Sequence, residues 1–265
     1  MTDARTLLSG ADLDGALKAL QAEVRSKPSD AKLRTFLFQL HAVRGEWKKA
    51  LAQLQVCGEL DASTLAMVNT YTPAIQCEAV REAVFAAKTL PHVFGPPAEW
   101  VALLVQALRH EVDGQHDQAA GLRAQALDQA PTSSGVMDGQ PFQWIADADS
   151  RLGPILEVVI NGRYGWLPFM HLSKLRIEPV VDLRDLIWAP AQIQFTNGGE
   201  AVTLLPARYP GTASEGADGA LLMARKTEWI EVGSAQYHGR GQRLLSTDAD
   251  EVGLLQVRDL TFNPG

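Results

Sequence analysis

The residues with the clearest chemical potential lie close together in the stretch PFQWIADADSRLGP, residues 141–154. Asp147 and Asp149 are two positions apart, and Arg151 follows two positions later. On an extended segment, residues at this spacing share one side. Two such carboxylates could hold Mg²⁺, and the adjacent guanidinium could clamp an anion. The spacing is therefore compatible with a metal- or phosphate-dependent enzyme that acts on a small ligand.

The same stretch can also be interpreted as the entrance to a folded domain. Asp147, Asp149 and Ser150 have side chains that cap backbone N–H groups in turns, and Arg151 could pair with either carboxylate. Trp144 would then seal the core beneath the turn. No third metal ligand can be nominated from the sequence. We therefore favour the structural interpretation and expect no catalytic residue, metal or cofactor.

The other reactive residue types form no recognisable catalytic motif. The histidines are scattered, and the sequence contains neither His-Glu-x-x-His nor Cys-x-x-Cys nor Gly-x-Ser-x-Gly. The stretch HGRGQRL, residues 238–244, lacks the third glycine and the Lys-Ser/Thr of a phosphate loop, so we interpret it as a turn. In RYPG, residues 208–211, Pro-Gly is also typical of a turn, and Arg208 is expected at the surface.

Composition limits the location and the partners of the chain. Of its 265 residues, 46% are hydrophobic and 21% are charged, which is usual for a soluble globular protein. The net charge of −7 and the lack of a Lys/Arg cluster argue against binding to nucleic acid. No apolar run approaches the roughly 18–20 residues that cross a bilayer, and the N-terminus lacks the pattern of a secretory signal. We expect a cytoplasmic protein without membrane insertion.

The first half of the chain has the spacing of amphipathic helices. The apolar face of residues 16–20 recurs 34 positions later at residues 50–54, and this period is the length of a tetratricopeptide repeat. A further helix pair is predicted from Pro97 near a helix start and Gly114 at a turn. Residues 1–130 are therefore predicted to form a domain of tetratricopeptide-like α-helical repeats.

Such arrays bind extended or helical peptides in a groove that offers aromatic and leucine anchors. We predict that the partner-binding residues of this chain are Phe36, Gln39, Leu40, Val43 and Trp47. Two alternatives remain open. Phe36 and Leu40 could be packing residues, and a partner could instead bind at the junction between the domains.

The second half of the chain has the pattern of antiparallel strands. Residues 131–141 are dense in Pro, Gly, Ser and Thr and are predicted to be a linker. In residues 142–265, short β-branched runs alternate with turn dipeptides, and Asn161-Gly162 and Asn197-Gly198 are each predicted at the centre of a two-residue hairpin loop. The prediction is an α+β protein of two domains, in which the second is a mainly antiparallel β domain with short helices.

Longer runs in this half carry a family resemblance. They are WIADADSRLGPILEVVINGRYGWLPF at residues 144–169, DLRDLIWAPAQIQFTNGGEAVTLLPARYPG at residues 182–211, and ARKTEWIE followed by GRGQRLLSTD at residues 224–248. Together they resemble the ImpE/TagJ family, also called SciE-type, of accessory proteins in bacterial type VI secretion clusters. The resemblance covers roughly residues 140–262, and the helical first half also fits the family.

The resemblance implies a non-catalytic adaptor. Family members are associated with the N-terminal helix of TssB, the small subunit of the contractile sheath, and with ClpV, the AAA+ ATPase that dismantles contracted sheath. It brings no catalytic residues to this chain. The residues expected to form its structural signature in the C-terminal domain are Trp144, Asp147, Asp149, Arg151, Asn161 and Gly162.

Overall fold

A computed structural model describes residues 3–96, 98–214, 216–233 and 235–263. Pro97, predicted near a helix start, lies outside these ranges. So do residues 1 and 2 of the first predicted domain and residues 215, 234, 264 and 265 of the second. Among the helices in these ranges, none is both long and apolar enough to cross a membrane.

The first half of the chain is helical. Its helices are α1 (Ala4–Ser9), α2 (Leu13–Ser26), α3 (Ala31–Val43), α4 (Trp47–Leu60), α5 (Leu65–Phe85), α6 (Glu99–Val112) and α7 (His116–Gln129). Aspartates cap several of them: the Asp12 side chain accepts the N–H of Gly15 at 2.8 Å, and Asp30 accepts the N–H groups of Lys32 and Leu33. These bonds satisfy backbone donors that a helix leaves open in its first turn.

The helix positions follow a constant spacing. Helices α2 and α4 begin 34 residues apart, and the helices α3, α5 and α6 begin at intervals of the same length. The buried residues correspond as well, since Ala16 and Leu20 of α2 are matched by Ala50 and Leu54 of α4. The spacing predicted from the sequence thus recurs in the helices, while their assignment to the tetratricopeptide class stays a prediction.

The second half consists mainly of strands. The strands are β1 (His92–Val93), which precedes α6, and then β2 (Gly135–Met137), β3 (Gln140–Phe142), β4 (Ile145–Asp147), β5 (Ile155–Ile160), β6 (Arg163–Pro168), β7 (Leu172–Ile177), β8 (Trp188–Phe195), β9 (Glu200–Pro206), β10 (Thr227–Gly233), β11 (Gln236–Gly241), β12 (Leu244–Thr247), β13 (Glu251–Gly253) and β14 (Asp259–Phe262). A short helix, α8 (Gly219–Leu222), precedes β10, and 3-10 turns occur at Ala62–Thr64, Phe169–His171 and Leu183–Leu186.

A large mixed sheet organises this half in the order β1-β6-β5-β9-β8-β7-β14-β2-β3. Strand β1 pairs with β6 in parallel, and the other neighbours in the sheet are antiparallel. A smaller sheet has the order β13-β12-β4, and β10 and β11 form a separate hairpin. The predicted combination of a helical N-terminal region and a mainly antiparallel C-terminal region is confirmed.

The two predicted hairpin loops differ in their outcome. Asn161 and Gly162 have φ angles of 50° and 72° and join β5 directly to β6, which confirms a two-residue loop. Between β8 and β9 the loop is longer, because the N–H of Phe195 donates to the carbonyl of Gly199 at 2.8 Å. The Asn197 side chain accepts the N–H of Gly199, so it forms a local turn rather than the centre of a two-residue loop.

Two hydrophobic cores lie on opposite faces of the large sheet, and β5 shows how they are divided. Ile155 and Val159 belong to the core shared with the helices, whereas Leu156, Val158 and Ile160 belong to the core inside the strand region. Because alternate residues of a strand face opposite sides, Glu157 lies in the row that faces the helices.

Strands and core residues extend across the limits predicted for the linker and the two domains. Strand β2 and the start of β3 lie within residues 131–141, and β1 extends from the helical half into the sheet. The first core also contains residues of both halves. The division at 1–130, 131–141 and 142–265 stays a prediction about how the chain is organised.

Two further local expectations, at Trp144 and at residues 238–241, were wrong. Trp144 does not seal the core, since it is 42% exposed, and Phe142 and Ile145 on either side of it are the buried residues. The chain changes sheets between β3 and β4, so the alternation of buried positions is broken at Trp144. Residues 238–241 form part of strand β11 rather than a turn, and Gly239 lies so close to Tyr209 that a Cβ atom would be 2.1 Å from its ring.

Candidate functional site

The structure brings together Asp147, the last residue of β4, and Asp149 and Arg151 of the turn that follows. Asp147 is 4% exposed and Asp149 is completely buried. The Asp147 Oδ1 atom accepts the N–H of Asp149 at 2.9 Å, and its Oδ2 atom accepts Nη1 of Arg243 at 2.7 Å. Asp149 accepts the N–H of Arg151 at 2.9 Å and that of Gly239 at 2.8 Å. All four carboxylate oxygens therefore have protein donors.

Arg151 forms a two-bond ion pair with Asp149. Its Nε and Nη2 atoms donate to the two oxygens of Asp149 at 2.8 and 2.5 Å, and its guanidinium lies 5.1 Å from the ring centre of Phe85 in α5. Burial opposes the charge on Asp149, but Arg151 outweighs this effect and lowers the pKa of Asp149. The guanidinium that could have held an anionic ligand is thus engaged by a carboxylate of its own turn.

The centre of the charged region is Glu157, which lies in the middle of β5. It is 1% exposed. Arg81 of α5 donates to its Oε1 and Oε2 atoms at 2.8 and 2.9 Å, and Arg243 donates to its Oε2 atom. The Tyr164 hydroxyl donates to Oε1 at 2.5 Å. We call the set of Arg81, Glu157, Arg243 and Asp147 the buried ion network.

The network ties the helices to the strands. Arg81 also donates to the backbone carbonyl of Arg208 at 2.7 Å, and it is 3.5 Å from Glu78 one turn earlier in α5. Glu78 in turn accepts the indole N–H of Trp188 at 2.8 Å. A buried guanidinium on a helix and a buried carboxylate on a strand are each costly alone, so this pairing fixes how α5 packs on the sheet.

The pKa values of the two acids of the network are shifted in opposite directions. Burial acts to raise the pKa of Glu157, but Arg81 and Arg243 outweigh it and lower the pKa to about 2. For Asp147 burial is the larger effect, and it raises the pKa to about 7 even though Arg243 is adjacent. Asp149 and Glu157 add to this increase because their negative charges are nearby.

Beside the network lies a cavity of about 290 Å³ between the α3–α4 turn, α5 and the loop that follows β9. We call it the junction cavity. Its lining includes Trp47, Arg81, Glu82 and Arg208, together with loop residues 209–214. Arg208 was expected at the surface, and this expectation was wrong, since it is 4% exposed.

Arg208 is buried because its side chain connects two helix ends. Its Nη1 atom donates to the carbonyl of Val43, the last residue of α3, at 2.7 Å, and to that of Leu222, the last residue of α8, at 2.6 Å. Carbonyls at the end of a helix lack intrahelical partners and carry partial negative charge. The turn chemistry of Pro210-Gly211 did not reveal this role, because it depends on contacts that are distant in the sequence.

Three of the predicted partner-binding residues point into the protein. Gln39 is 5% exposed, and both Leu40 and Val43 are completely buried. The Gln39 Oε1 atom accepts the N–H of Leu183 at 3.2 Å, so α3 packs on the 3-10 turn that precedes β8. In this conformation these three side chains are not available to a partner.

Phe36 and Trp47 keep part of their surface exposed. Arg5 of α1 lies 6.0 Å from the ring centre of Phe36. Trp47 packs on Trp188 with ring centres 5.8 Å apart, and its indole N–H donates to Glu82 at 3.3 Å. Trp47 therefore lies at the junction of the two halves and also forms part of the cavity wall.

Four residues at the centre of this site were not predicted from the sequence, namely Arg81, Glu157, Arg208 and Arg243. A signal was present for Glu157, because a lone carboxylate interrupts the apolar run ILEVVI in a strand that is buried on both faces. The arginines carried no comparable signal. Within the described ranges, the acidic, histidine and cysteine side chains form no group of three or more that could hold a metal ion.

These features define a protein in which a helical array packs on a mixed β region through buried ion pairs, with a cavity at the junction. Comparison with known proteins finds relatives that match it over nearly its whole length. The family model described as ImpE protein matches residues 139–261. The type VI secretion system accessory component TagJ of Pseudomonas aeruginosa is 53% identical over 261 residues, which is 98% of this chain and 91% of that protein.

The fold also recurs in a solved structure. A crystal structure of a Vibrio parahaemolyticus protein superposes with a TM-score of 0.88 at 21% sequence identity, over 98% of this chain and 97% of that one. The close identity to TagJ along nearly the whole chain establishes that the chain belongs to the ImpE/TagJ family.

Proposed function

We propose that this chain is a non-catalytic accessory component of a bacterial type VI secretion system and acts in the cytoplasm as an adaptor. The observation that carries the proposal is the 53% identity, over 98% of the chain, to a protein named as such a component. The engagement of Asp147, Asp149 and Arg151 by one another and by Arg243 is consistent with a structural role for the acidic turn. The alternative of a metal- or phosphate-dependent enzyme would require these side chains to exchange their present protein partners for a ligand.

The finer form of the proposal names the partners. The chain binds the N-terminal helix of the sheath small subunit TssB and links the sheath to the ClpV disassembly ATPase. In this proposal residues 1–130 are a tetratricopeptide-like domain that captures the helix, residues 131–141 are a linker, and residues 142–265 are the ImpE-type domain. The recurring 34-residue spacing of the helices supports the first assignment.

The contact surface that we propose centres on Phe36 and Trp47. Both are large aromatic side chains with part of their surface exposed, and such residues commonly anchor a bound helix. The buried side chains of Gln39, Leu40 and Val43 would contribute indirectly, because their packing contacts hold α3 in position. Trp47 is the stronger candidate, because it also borders the junction cavity, where a partner could reach both halves of the protein.

The test is a pull-down of the sheath small subunit by the purified 265-residue chain. Sheath subunit with its N-terminal helix should be retained, and the form that lacks this helix should not. Trp47→Ala should weaken retention by roughly 30-fold or more if Trp47 is a hot spot of at least 2 kcal/mol. Trp144→Ala is the matched control, because Trp144 is 42% exposed between β3 and β4 and does not line the junction cavity.

Equal retention of the two forms of the sheath subunit would contradict the helix-capture proposal. Normal retention by a folded Trp47→Ala variant would move the contact surface away from the junction. The link to the ATPase is tested separately, by whether ClpV is recovered with the chain when sheath subunit is present or absent.

A further inference from the structure

The charge on Arg208 is only partly compensated by the protein. Its side chain is buried, and its Nη1 atom is occupied by the carbonyls of Val43 and Leu222. Among the described residues, neither Nε nor Nη2 of Arg208 has a hydrogen-bond partner, and no carboxylate forms an ion pair with this guanidinium. The other arginines that line the junction cavity or join the network have carboxylate partners, as Arg81 does with Glu157.

Within the ranges that the structure describes, Arg208 is a buried cation without a directly paired carboxylate, and such a cation is energetically costly. The helix ends at Val43 and Leu222 supply only partial negative charge. Burial lowers the pKa of Arg208 to about 10, nearby Glu78 opposes this change, and Arg81 adds to it. The environment of Arg208 would therefore be stabilised by one further negative group.

The junction cavity provides room for such a group. Its volume of about 290 Å³ lies close to the lower end of the roughly 300–1,000 Å³ that is typical of small-ligand pockets. Arg208 lines this cavity, and Trp47 forms an aromatic wall. The Nε and Nη2 atoms of an arginine present two parallel N–H groups, which match the two oxygens of a carboxylate.

The acidic residues of the cavity are already engaged. Glu78 accepts from Trp188 and faces Arg81, while Glu82 lies at the exposed rim and accepts from Trp47. Because the negative charges of Glu78 and Glu82 repel anions, the site suits a ligand whose anionic group extends past the rim as far as Arg208. A compact carboxylate on a slender chain satisfies this condition better than a bulky, multiply charged anion.

We propose that the junction cavity is a carboxylate-binding site in which Nε and Nη2 of Arg208 hold the ligand by two charge-assisted hydrogen bonds and Trp47 packs against its apolar part. The ligand is either a free small carboxylate or an acidic side chain that a partner polypeptide inserts. The proposal concerns the chemistry of the cavity and does not depend on the secretion role proposed above.

The experiment titrates the whole 265-residue chain with three probes at constant ionic strength: succinate, its uncharged diamide, and a short peptide with a central glutamate. Calorimetry measures affinity, and side-chain ¹H–¹⁵N spectra follow the Nε–H resonance of Arg208. Succinate or the peptide should bind and shift this resonance, and the diamide should not. Loss of the two-bond contact in Arg208→Lys should weaken binding by about 10- to 100-fold. Arg163→Lys is the matched control, because Arg163 is exposed at the start of β6.

Binding of succinate identifies a small-molecule site, and binding of the peptide alone identifies a site for a partner's acidic residue. The proposal is overturned if neither carboxylate binds at millimolar concentration, if binding leaves the Arg208 resonance unchanged, or if a folded Arg208→Lys variant binds as tightly as the wild type. Should that variant fail to fold, the resonance shift in the wild type decides the question alone. Failure of this titration leaves the sheath pull-down unaffected, and the reverse also holds.

Discussion

Replacing Glu157 by Gln should remove the charge on which the buried ion network depends while preserving the size of the side chain. Among the carboxylates that the structure describes, Arg81 would then keep only Glu78, at 3.5 Å, and Arg243 would keep only Asp147. Both arginines would still donate to backbone carbonyls, those of Arg208 and Pro206. Removing one partner of a buried ion pair commonly costs about 3–5 kcal/mol, because the remaining charge stays buried. For a chain of this size the expected loss in melting temperature is roughly 6–20 °C.

The assay is urea unfolding at neutral pH, followed by far-ultraviolet circular dichroism, with thermal unfolding as a second measure. Glu231→Gln is the matched control, because Glu231 is exposed on β10. This variant should change the free energy of unfolding by no more than about 0.5 kcal/mol.

The pH dependence gives a second check on the same variant. The pKa of Glu157 is about 2 in the folded protein and ordinarily 4.5, so its ionised form stabilises the fold above pH 4.5. This contribution is lost as the pH falls toward 2, and the difference between wild type and variant should shrink over that interval. A Glu157→Gln variant as stable as the Glu231→Gln control at neutral pH would refute our account of the network.

Three further predictions concern single positions. Asp149→Asn breaks the two-bond ion pair with Arg151 and should lower the free energy of unfolding, measured in urea, by about 3–5 kcal/mol. A variant of normal stability that loses a metal-dependent activity would contradict the structural role of the acidic turn. Gly162→Ala and Gly198→Ala should each lower the free energy of unfolding by about 1–2 kcal/mol, because both glycines have positive φ. Gly162→Ala should lower it by roughly 1–3 kcal/mol more, since its Cβ would lie 2.9 Å from Cβ of Pro73, whereas nothing lies within 4 Å at Gly198. Equal losses in the two variants would show that the contact with Pro73 relaxes freely. The pKa of Asp147 is raised from 3.8 to about 7, so Asp147 contributes stability below pH 3.8 that is lost as the pH rises to 7. The free energy of unfolding of the wild type, relative to Asp147→Asn, should therefore fall over this range. A difference that grows with pH would contradict the direction of the pKa shift.

Local patterns in the sequence were sufficient for much of the fold. Helical periodicity located the first half, and the 34-residue recurrence of apolar faces predicted the spacing at which helices begin. Asn161-Gly162 predicted a two-residue hairpin because few other dipeptides adopt positive φ at both positions. These features depend on neighbours within a few residues, and such neighbours can be read directly from the chain.

Features that depend on burial were predicted less well. Trp144 was expected inside and Arg208 outside, and both expectations were wrong. Leu40 and Val43 were chosen as partner contacts from the character of their helix, but their exposure is determined by the neighbouring helices α2 and α4 and the 3-10 turn that pack against α3. The sequence shows that a helix has an apolar face, but it does not show which other element covers that face.

What the sequence determined by itself was the class of each half and the family to which the chain belongs. What only the tertiary structure decided was the role of the acidic turn and of the arginines around it. Glu157 meets Arg81 and Arg243 across separations of 76 and 86 residues. A carboxylate that lies free in an extended segment can bind a metal, whereas the same carboxylate surrounded by buried guanidinium groups is an ion pair. That distinction arises because folding removes water from these groups and brings together charges that are far apart along the chain.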